Sequence, residues 1–189
     1  MRIDRVTTRT GDDGATALAD GRRLAKDHPL VIALGAVDET SCALGLAAVE
    51  ALPSAIAAAL PGVQNDLFDL GADLAMPASS PQAARVPRID APAMARIEAL
   101  IGDANARLAP LTSFVLPGGT RAAATLHLAR AVARRAEIAV WAARGVDDGS
   151  APSIACAQWL NRLSDLCFVW ARCANDDGRG DVLWRPGGR

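Results

Sequence analysis

The chain has 189 residues, 51% of them apolar, which suits one domain with a sizeable core. Its formal net charge of −1 at pH 7 gives no indication of a nucleic-acid or membrane-surface partner. We see no signal-peptide run at the start and no later apolar run that approaches the roughly 18 residues of a membrane-spanning helix, so we expect a cytoplasmic protein.

Two residue types carry information through their rarity. Cys42, Cys156, Cys167 and Cys173 form no CxxC pair and accompany only two histidines, so we expect small buried residues in a reducing compartment and no protein metal site. Lys26 is the single lysine among 20 basic residues. Its retention suggests a place where a compact ammonium serves better than a guanidinium; chance survival is the alternative.

The first half of the chain predicts an arm followed by two helices. Residues 1–26 are polar and glycine-rich without helical periodicity and are typical of an arm. A long helix is predicted from Pro29, after a start signal at Asp27 and His28, to about Leu52. Residues 61–76 predict an amphipathic helix with one apolar stripe: Val63, Leu67, Leu70 and Leu74.

Two further helices are separated by turn-rich segments. Residues 77–90 hold three prolines and predict a surface loop, and a third long helix is expected over 91–108. Residues 109–119 form a second linker that ends in Pro-Gly-Gly. Thr120 can then cap a helix that stops at Gly145.

The last helix is predicted from Ser150, and its core seam has alternating spacings of three and four: Cys156, Leu160, Leu163, Cys167, Trp170 and Ala174. No stretch alternates convincingly for a strand. We therefore expect one all-α domain over 1–189, an up-and-down bundle of four to five helices with an irregular N-terminal arm. The arm covers 1–26, the bundle 27–175 and an irregular tail 176–189.

The helix after Thr120 carries charges beside its apolar face. Arg130, Arg134 and Glu137 share one arc, whereas Arg135 points elsewhere. A solvated face with intrahelical ion pairs would explain most such rows. Two arginines four residues apart repel each other, however, so we expect a carboxylate from another helix or a bound polyanion between them.

Other helices offer polar partners for this row. Asp38 lies in an apolar stretch of the first helix, where an acidic residue is costly unless it is paired, so we expect it to pair with Arg130 or Arg134. Asn161 and Asp165 share a face of the last helix. Three helices thus contribute polar residues from the middle of the bundle.

The arm segment TTRTGDDGATALADGRRLAK is rich in glycine and hydroxyls, which lets backbone N–H groups turn toward phosphate oxygens. It is not a Walker A sequence, and a disordered arm is the alternative. Lys26 at its end favours a phosphate loop, because it is a point charge suited to a polyphosphate.

Eight segments, in order and spanning nearly the whole chain, resemble the PduO-type ATP:cob(I)alamin adenosyltransferases: TRTGDDGATAL, RRLAKDHP, GAVDET, LFDLGADLA, FVLPGG, LHLARAVARRAE, LNRLSD and DVLWRPG. The resemblance implies a helical bundle that assembles as a homotrimer with ATP at subunit interfaces. It also implies transfer of the 5′-deoxyadenosyl group of ATP to cobalt, with release of triphosphate. Possible partners are a reductase and an adenosylcobalamin-dependent mutase.

The resemblance also assigns roles to individual residues. Phe114 matches the aromatic residue that presses on the lower face of the corrin, and Asp38 matches an acidic partner of Arg130 across the subunit interface. We expect Arg134, Arg130 and Asp38 to be the catalytic residues. The positions that match nucleotide contacts are Thr8, Arg9, Thr10, Gly11, Thr16, Lys26, Arg134, Arg135, Glu137 and Asn161.

The implied chemistry needs no general base, because cobalt(I) is itself a very strong nucleophile. The protein aligns cobalt with the ribose C5′ and stabilises the leaving triphosphate, and Mg²⁺ shares that charge. Phe114 with its apolar neighbours would exclude a lower axial ligand and water. The chain departs from the family pattern at Thr7, Ala17 and Ile138, which could weaken ATP binding, and Trp184 is a further candidate for a corrin contact.

Two other classes of function stay open. One is a corrinoid-binding or delivery module without strong catalysis, although Lys26, Arg134, Glu137 and Asn161 are all retained. The other is a helical scaffold, which would not be stabilised by ATP.

Overall fold

A computed structural model of the chain describes residues 7–78 and 80–188. Its helices confirm the all-α bundle. The helix bounds are α1 Pro29–Ala48, α2 Ser54–Ala75, α3 Ala91–Asn105, α4 Arg121–Arg144 and α5 Ile154–Ala174. α4 packs most extensively against α5 and α1, α2 packs against α1, and α3 packs against α5.

Side-chain caps fix the starts of four helices. His28, Asp90, Thr120 and Ser153 each accept a hydrogen bond from a backbone N–H in the first turn of the helix that follows. The predicted bounds of α4 are confirmed, including its end before Gly145. α5 begins four residues after the predicted start, because Ser153 rather than a residue near 150 supplies the cap.

The predicted start of α2 was wrong by seven residues. Pro61 was expected to begin this helix, but it lies inside it and is exposed. Ile56 and Leu60 extend the buried stripe of the helix backward, so tertiary packing offsets the backbone hydrogen bond that Pro61 cannot donate. The predicted ends of α1 and α3 were also late, since α1 ends at Ala48 and α3 at Asn105.

The expectation of no strands was wrong for the arm. β1 Ala15–Ala17 and β2 Arg23–Ala25 pair as an antiparallel hairpin, with Thr16 opposite Leu24. Three-residue strands are too short to show the alternation by which strands are recognised in sequence. The Ala19 N–H also donates to the carbonyl of Ala75 at 3.2 Å, so the arm folds back onto the end of α2.

The core lies between the helices and includes three of the four cysteines. Cys156, Cys167 and Cys173 are buried, and burial raises the pKa of each thiol, that of Cys167 to about 12. They therefore act as small apolar residues. The expectation was wrong for Cys42, which is exposed on α1.

The expectation that no apolar run approaches the length of a membrane-spanning helix was wrong for α1. Among the described residues, α1 is the one helix that is long enough and apolar enough to cross a membrane. This judgement rests on length and composition alone, and the mean hydropathy of the helix is 1.6. Half of that window is buried within the protein, as is common for the core helix of a bundle, so the feature is weak evidence for a span.

Candidate functional site

A cavity of about 1030 Å³ opens between the linker before α4, the helices α4 and α5, and the tail. We call it the Phe114 cavity. Its wall is mostly apolar, and three nitrogen-bearing side chains interrupt it, two from α4 and Arg185 from the tail. The main lining residues are Leu111, Phe114, Phe168, Trp184, His127 and Arg130.

The tail holds the loop that carries Phe114. The Leu116 N–H donates to the Val182 carbonyl at 2.8 Å, and the Trp184 N–H donates to the Phe114 carbonyl at 2.7 Å. The Ser113 hydroxyl donates to the Trp184 carbonyl at 2.7 Å. The rings of Phe114 and Trp184 lie 6.1 Å apart, and 77% of Phe114 is exposed. Phe114 therefore presents its ring to the cavity from a backbone fixed on both sides.

A buried ion pair anchors this arrangement to α5. Arg172 Nε donates to Asp181 Oδ2 at 2.8 Å, and the two side chains are 7% and 2% exposed. Arg172 also donates to the Ala109 carbonyl at 3.1 Å, and Asn175 Nδ2 donates to Asp181 Oδ1 at 3.1 Å. One guanidinium thus ties both the linker and the tail to α5. The walls of the Phe114 cavity are set by the chain itself.

The floor of the cavity carries nitrogen atoms without partners. His127 is 3% exposed, and neither of its ring nitrogens has a hydrogen-bond partner among the described residues. The same holds for Nε of Arg130, one turn further along α4. Burial, and then the positive charge of Arg130, lower the pKa of His127, while Asp181 opposes this shift. Both effects favour the neutral form of the imidazole.

A polar cluster lies further along α4, which we call the Glu137 cluster. Asn161 Nδ2 lies 3.4 Å from both carboxylate oxygens of Glu137, and Arg162 donates to Asn161 Oδ1 at 2.9 Å. Arg162 Nε donates to Glu98 Oε1 at 3.1 Å. Three helices do meet here with polar residues, but the third is α3 and not α1 as expected.

The arginines of α4 have different surroundings. Arg135 pairs with Glu39 of α1 at 2.5 Å, which agrees with its predicted separate direction. Arg134 is exposed and makes no hydrogen bond or ion pair with the described part of the chain. Arg134 is thus a free cation beside the Glu137 cluster.

The expected pairing of Asp38 with Arg130 or Arg134 is not made within one chain. Asp38 is exposed and lines a groove of about 150 Å³ between α1 and α2. The helical position after it, Glu39, is the one that faces α4. A pairing of Asp38 with Arg130 of another subunit remains a prediction.

The arm brings several of its predicted residues together. A side chain at Gly11 would meet Lys26 Nζ at 3.2 Å, so the ammonium lies directly over the Gly11 turn. The hydroxyls of Thr8 and Thr10 lie 3.0 Å apart, and Arg9 has a φ of 60°. Non-glycine residues seldom adopt this left-handed region, so the turn around Arg9 is constrained.

The arm and the Glu137 cluster are not joined directly. No hydrogen bond or ion pair links residues 8–26 to Arg134, Glu137 or Asn161 in the described chain. Just after the arm, His28 Nε2 lies 3.0 Å from Asp148 Oδ2 in the loop that follows α4.

Sequence reasoning missed His127 and the Arg172–Asp181 pair. His127 was part of the quoted segment LHLARAVARRAE, and its place three residues before Arg130 could have indicated a shared face. Arg172 and Asp181 are separated by the end of α5, so no periodicity joins them. Among the described residues, no group of three or more His, Cys, Asp or Glu side chains could hold a metal ion.

Comparisons with known proteins agree on one family. The family model for cobalamin adenosyltransferase matches residues 6–174. A corrinoid adenosyltransferase of Mycobacterium tuberculosis (strain ATCC 25618 / H37Rv) is 45% identical over 189 residues, covering 100% of this chain and 96% of that protein. A cobalamin adenosyltransferase of Cupriavidus metallidurans is 43% identical over 188 residues, covering 97% and 96%.

A solved structure extends the likeness to the fold. A variant PduO-type ATP:corrinoid adenosyltransferase from Lactobacillus reuteri, complexed with cobalamin and ATP, matches with a TM-score of 0.84 at 31% identity. The match covers 96% of this chain and 99% of that one.

Proposed function

The chain belongs to the cobalamin adenosyltransferase family, and we propose that it transfers the 5′-deoxyadenosyl group of ATP to the cobalt of cob(I)alamin, giving adenosylcobalamin and triphosphate. One observation carries the proposal. Arg130 lines the Phe114 cavity, and Arg134, a free cation beside the Glu137 cluster, follows it by one helical turn. The two lie about 6 Å apart along the α4 axis, so α4 can hold a corrinoid and a nucleotide side by side.

The reaction is a nucleophilic displacement at carbon. Cobalt(I) donates an electron pair to the ribose C5′, the cobalt–carbon bond forms, and the bond from C5′ to the triphosphate oxygen breaks. Triphosphate leaves with that electron pair, so its negative charge grows in the transition state. Cations such as Arg134 and Lys26 would stabilise this charge, whereas the reaction needs no proton acceptor.

The nucleotide site that we propose combines the arm and the helices. The triphosphate would be surrounded by residues of the arm: Thr8, Arg9, Thr10, Gly11, Thr16 and Lys26. The position of the Lys26 ammonium over the Gly11 turn supports this. Arg134 and Arg135 of α4 would also contact the nucleotide. Glu137 and Asn161 would contact it beside them. The mutual contact of Glu137 and Asn161 fixes both side chains near Arg134.

We propose that ATP enters as its Mg²⁺ complex, as part of the substrate. The described residues offer no cluster of three acidic or histidine ligands, which fits an ion held mainly by phosphate oxygens and water. Mg²⁺ would share the charge of the leaving triphosphate.

We propose a homotrimer in which the nucleotide lies between subunits. Exposed apolar side chains on α1 and α4 support an interface there: Ile32, Leu46, Leu128, Ile138 and Trp141. The separation of the arm from the Glu137 cluster within one chain also favours completion of the site by a second subunit. In the trimer, Asp38 would pair with Arg130 of the neighbouring subunit, and both would act with Arg134 in catalysis.

The Phe114 cavity is the proposed corrin site. Phe114 would press on the lower face of the corrin and exclude water and a lower axial ligand, and Trp184 would support its ring. The family departures at Ala17 and Ile138 are both exposed, as is Thr7. We expect their effects to fall on ATP affinity rather than on the fold.

The activity would take place in the cytoplasm, with a reductase supplying cobalt(I) and a dependent mutase receiving the product. A corrinoid-delivery module without strong catalysis is the second candidate, since the preformed cavity would serve it equally well. The free Arg134 beside the Glu137 cluster favours the enzyme, because delivery of a corrinoid needs no triphosphate site.

An anaerobic optical assay with chemically reduced cobalamin, ATP and Mg²⁺ tests the proposal. We expect the spectrum of cob(I)alamin to change to that of adenosylcobalamin, with one triphosphate released for each turnover. Omission of ATP is the control. Binding of ATP and corrinoid without conversion would favour the delivery module, and absence of ATP-dependent thermal stabilisation would favour a scaffold.

A further inference from the structure

We propose that His127 is a corrinoid-binding residue that hydrogen-bonds a carboxamide on the periphery of the corrin from the floor of the Phe114 cavity. The inference rests on the proposed function, in that it takes a corrinoid as the occupant of the cavity. It adds a polar recognition element to a site whose other walls are mainly apolar.

His127 is a buried polar residue whose hydrogen-bonding groups are unused in the described chain. An imidazole that is 3% exposed with neither nitrogen paired among the described residues lowers the stability of the folded chain. Its ring lies 6.2 Å from that of Phe168, so an apolar aromatic residue could occupy the same place against α5. Packing alone therefore does not require a histidine at this position, and the histidine makes the folded chain less stable than an apolar aromatic residue would.

The electrostatics of the floor select the chemistry of the ligand group. Burial, and then the positive charge of Arg130 one turn further along α4, lower the pKa of His127, which favours the neutral imidazole with one donor and one acceptor nitrogen. A carboxamide has the same complement of one acceptor oxygen and a donor NH₂. A cationic group would be repelled by Arg130. An anion would favour protonated His127, against its lowered pKa.

Arg130 can complete the recognition. Its Nε is also buried without a partner among the described residues and belongs to the same cavity wall. A carboxamide oxygen has two lone pairs and can accept from both side chains. Corrins carry several acetamide and propionamide groups around the ring, which supplies ligands of this class at the edge of a planar apolar body.

The test separates hydrogen bonding from packing with two kinds of variant. His127→Phe keeps an aromatic ring but removes both nitrogens, whereas His127→Asn and His127→Gln keep an amide near one or the other nitrogen position. We expect His127→Phe to raise the KM for cob(I)alamin about tenfold, because the variant loses one or two hydrogen bonds to the corrinoid. The KM for ATP should stay within about twofold. At least one amide variant should restore corrinoid affinity most of the way.

Thermal unfolding without ligand supplies an independent readout. His127→Phe should have an equal or higher Tm than the unchanged protein, because it removes an unpaired buried polar group. A corrinoid KM within twofold of normal in His127→Phe would overturn the inference. So would equal changes in the KM values for corrinoid and ATP, or a Phe variant that weakens corrinoid binding only by unfolding.

A corrinoid that lacks the nucleotide tail distinguishes the source of the contact. If His127 meets a ring carboxamide, His127→Phe should weaken binding of cobinamide and cobalamin by the same factor. An effect confined to cobalamin would place the contact on the nucleotide tail and overturn the assignment. Calorimetric titration with each corrinoid tests His127 even if no adenosyl transfer occurs, so failure of the proposed function and failure of this inference are distinguishable.

Discussion

The Phe114 cavity and the nucleotide region differ in how far one chain completes them. The cavity has backbone hydrogen bonds between the linker and the tail, and a buried ion pair fastens both to α5. The nucleotide region has an arm that folds on itself, and Arg134 is exposed without a partner in the described chain. The apolar site is built in advance, whereas the charged one keeps Arg134 without a partner in the described chain, although Arg135 already pairs with Glu39.

The difference follows from the ligands that each region would take. A large apolar ring is bound by shape, and a cavity that needs no reorganisation loses little entropy when it is filled. A triphosphate is bound by cations, which are most available when they are not already neutralised by carboxylates. A cation without a protein partner is therefore the expected state of the nucleotide region before ATP binds.

The largest effect should come from the free cation. Arg134→Ala should reduce kcat by about a hundredfold or more, because it removes a charge that stabilises the leaving triphosphate. The helix should stay folded, since the side chain contacts no other described residue through a hydrogen bond or ion pair. Turnover measured with cob(I)alamin tests this, with circular dichroism for the fold.

Arg121→Ala provides a matched control on the same helix. Arg121 is 88% exposed at the start of α4, where it pairs with Glu50, and we expect normal turnover from this variant. If Arg134→Ala retains near-full activity, the role of α4 in binding the nucleotide is wrong.

The second largest effect should come from the ion pair that anchors the walls of the Phe114 cavity. Arg172→Met leaves Asp181 buried without its cation, which should cost about 3–5 kcal/mol of unfolding free energy and loosen the tail. Denaturant unfolding measures the first effect, and the KM for corrinoid, which should rise more than the KM for ATP, measures the second. Arg179→Met removes an exposed pair in the same segment and should leave stability nearly unchanged. Equal KM changes would show that the tail does not shape the cavity specifically.

A third prediction concerns the ring that this clamp presents. Phe114→Ala should reduce the rate from cob(II)alamin with a reductant about tenfold more than the rate from chemically prepared cob(I)alamin, because only the first requires exclusion of the lower ligand. Leu116→Ala, next but one in the loop and also exposed, is the control. Equal losses in the two assays would contradict the role of Phe114.

The parts predicted from sequence were those with local signals. Apolar periodicity and capping residues predicted the helices of the bundle. The start of α4 was predicted because the Thr120 hydroxyl can cap the helix that follows it. The start of α2 was missed because a local rule about proline was outweighed by burial of Ile56 and Leu60. The hairpin in the arm was missed because its strands are too short to alternate.

The site divides in the same way. Asn161 and Glu137 were both singled out because they belong to motifs on predicted helices, but their contact with each other was not predicted. The clamp of Arg172 on Asp181 depends on a turn at the end of α5, and the unpaired state of His127 depends on everything packed around it. Neither property belongs to a segment of sequence, so neither could be predicted without the fold.

The smallest effect should appear in the pH dependence of stability. The pKa of His127 in the folded chain lies below its ordinary value of 6.5, so below about pH 6.5 the unfolded chain binds a proton that the folded chain does not. Folding stability should therefore fall as pH falls from 7.5 to 5.5, by at most about 1.4 kcal/mol for each pH unit from this residue. His127→Phe should lack this component, so the stability advantage of the variant should grow toward acid pH. Parallel pH profiles for the two proteins would mean that the pKa of His127 is the same in the folded and the unfolded chain, and the premise that burial disfavours its protonation would then be wrong.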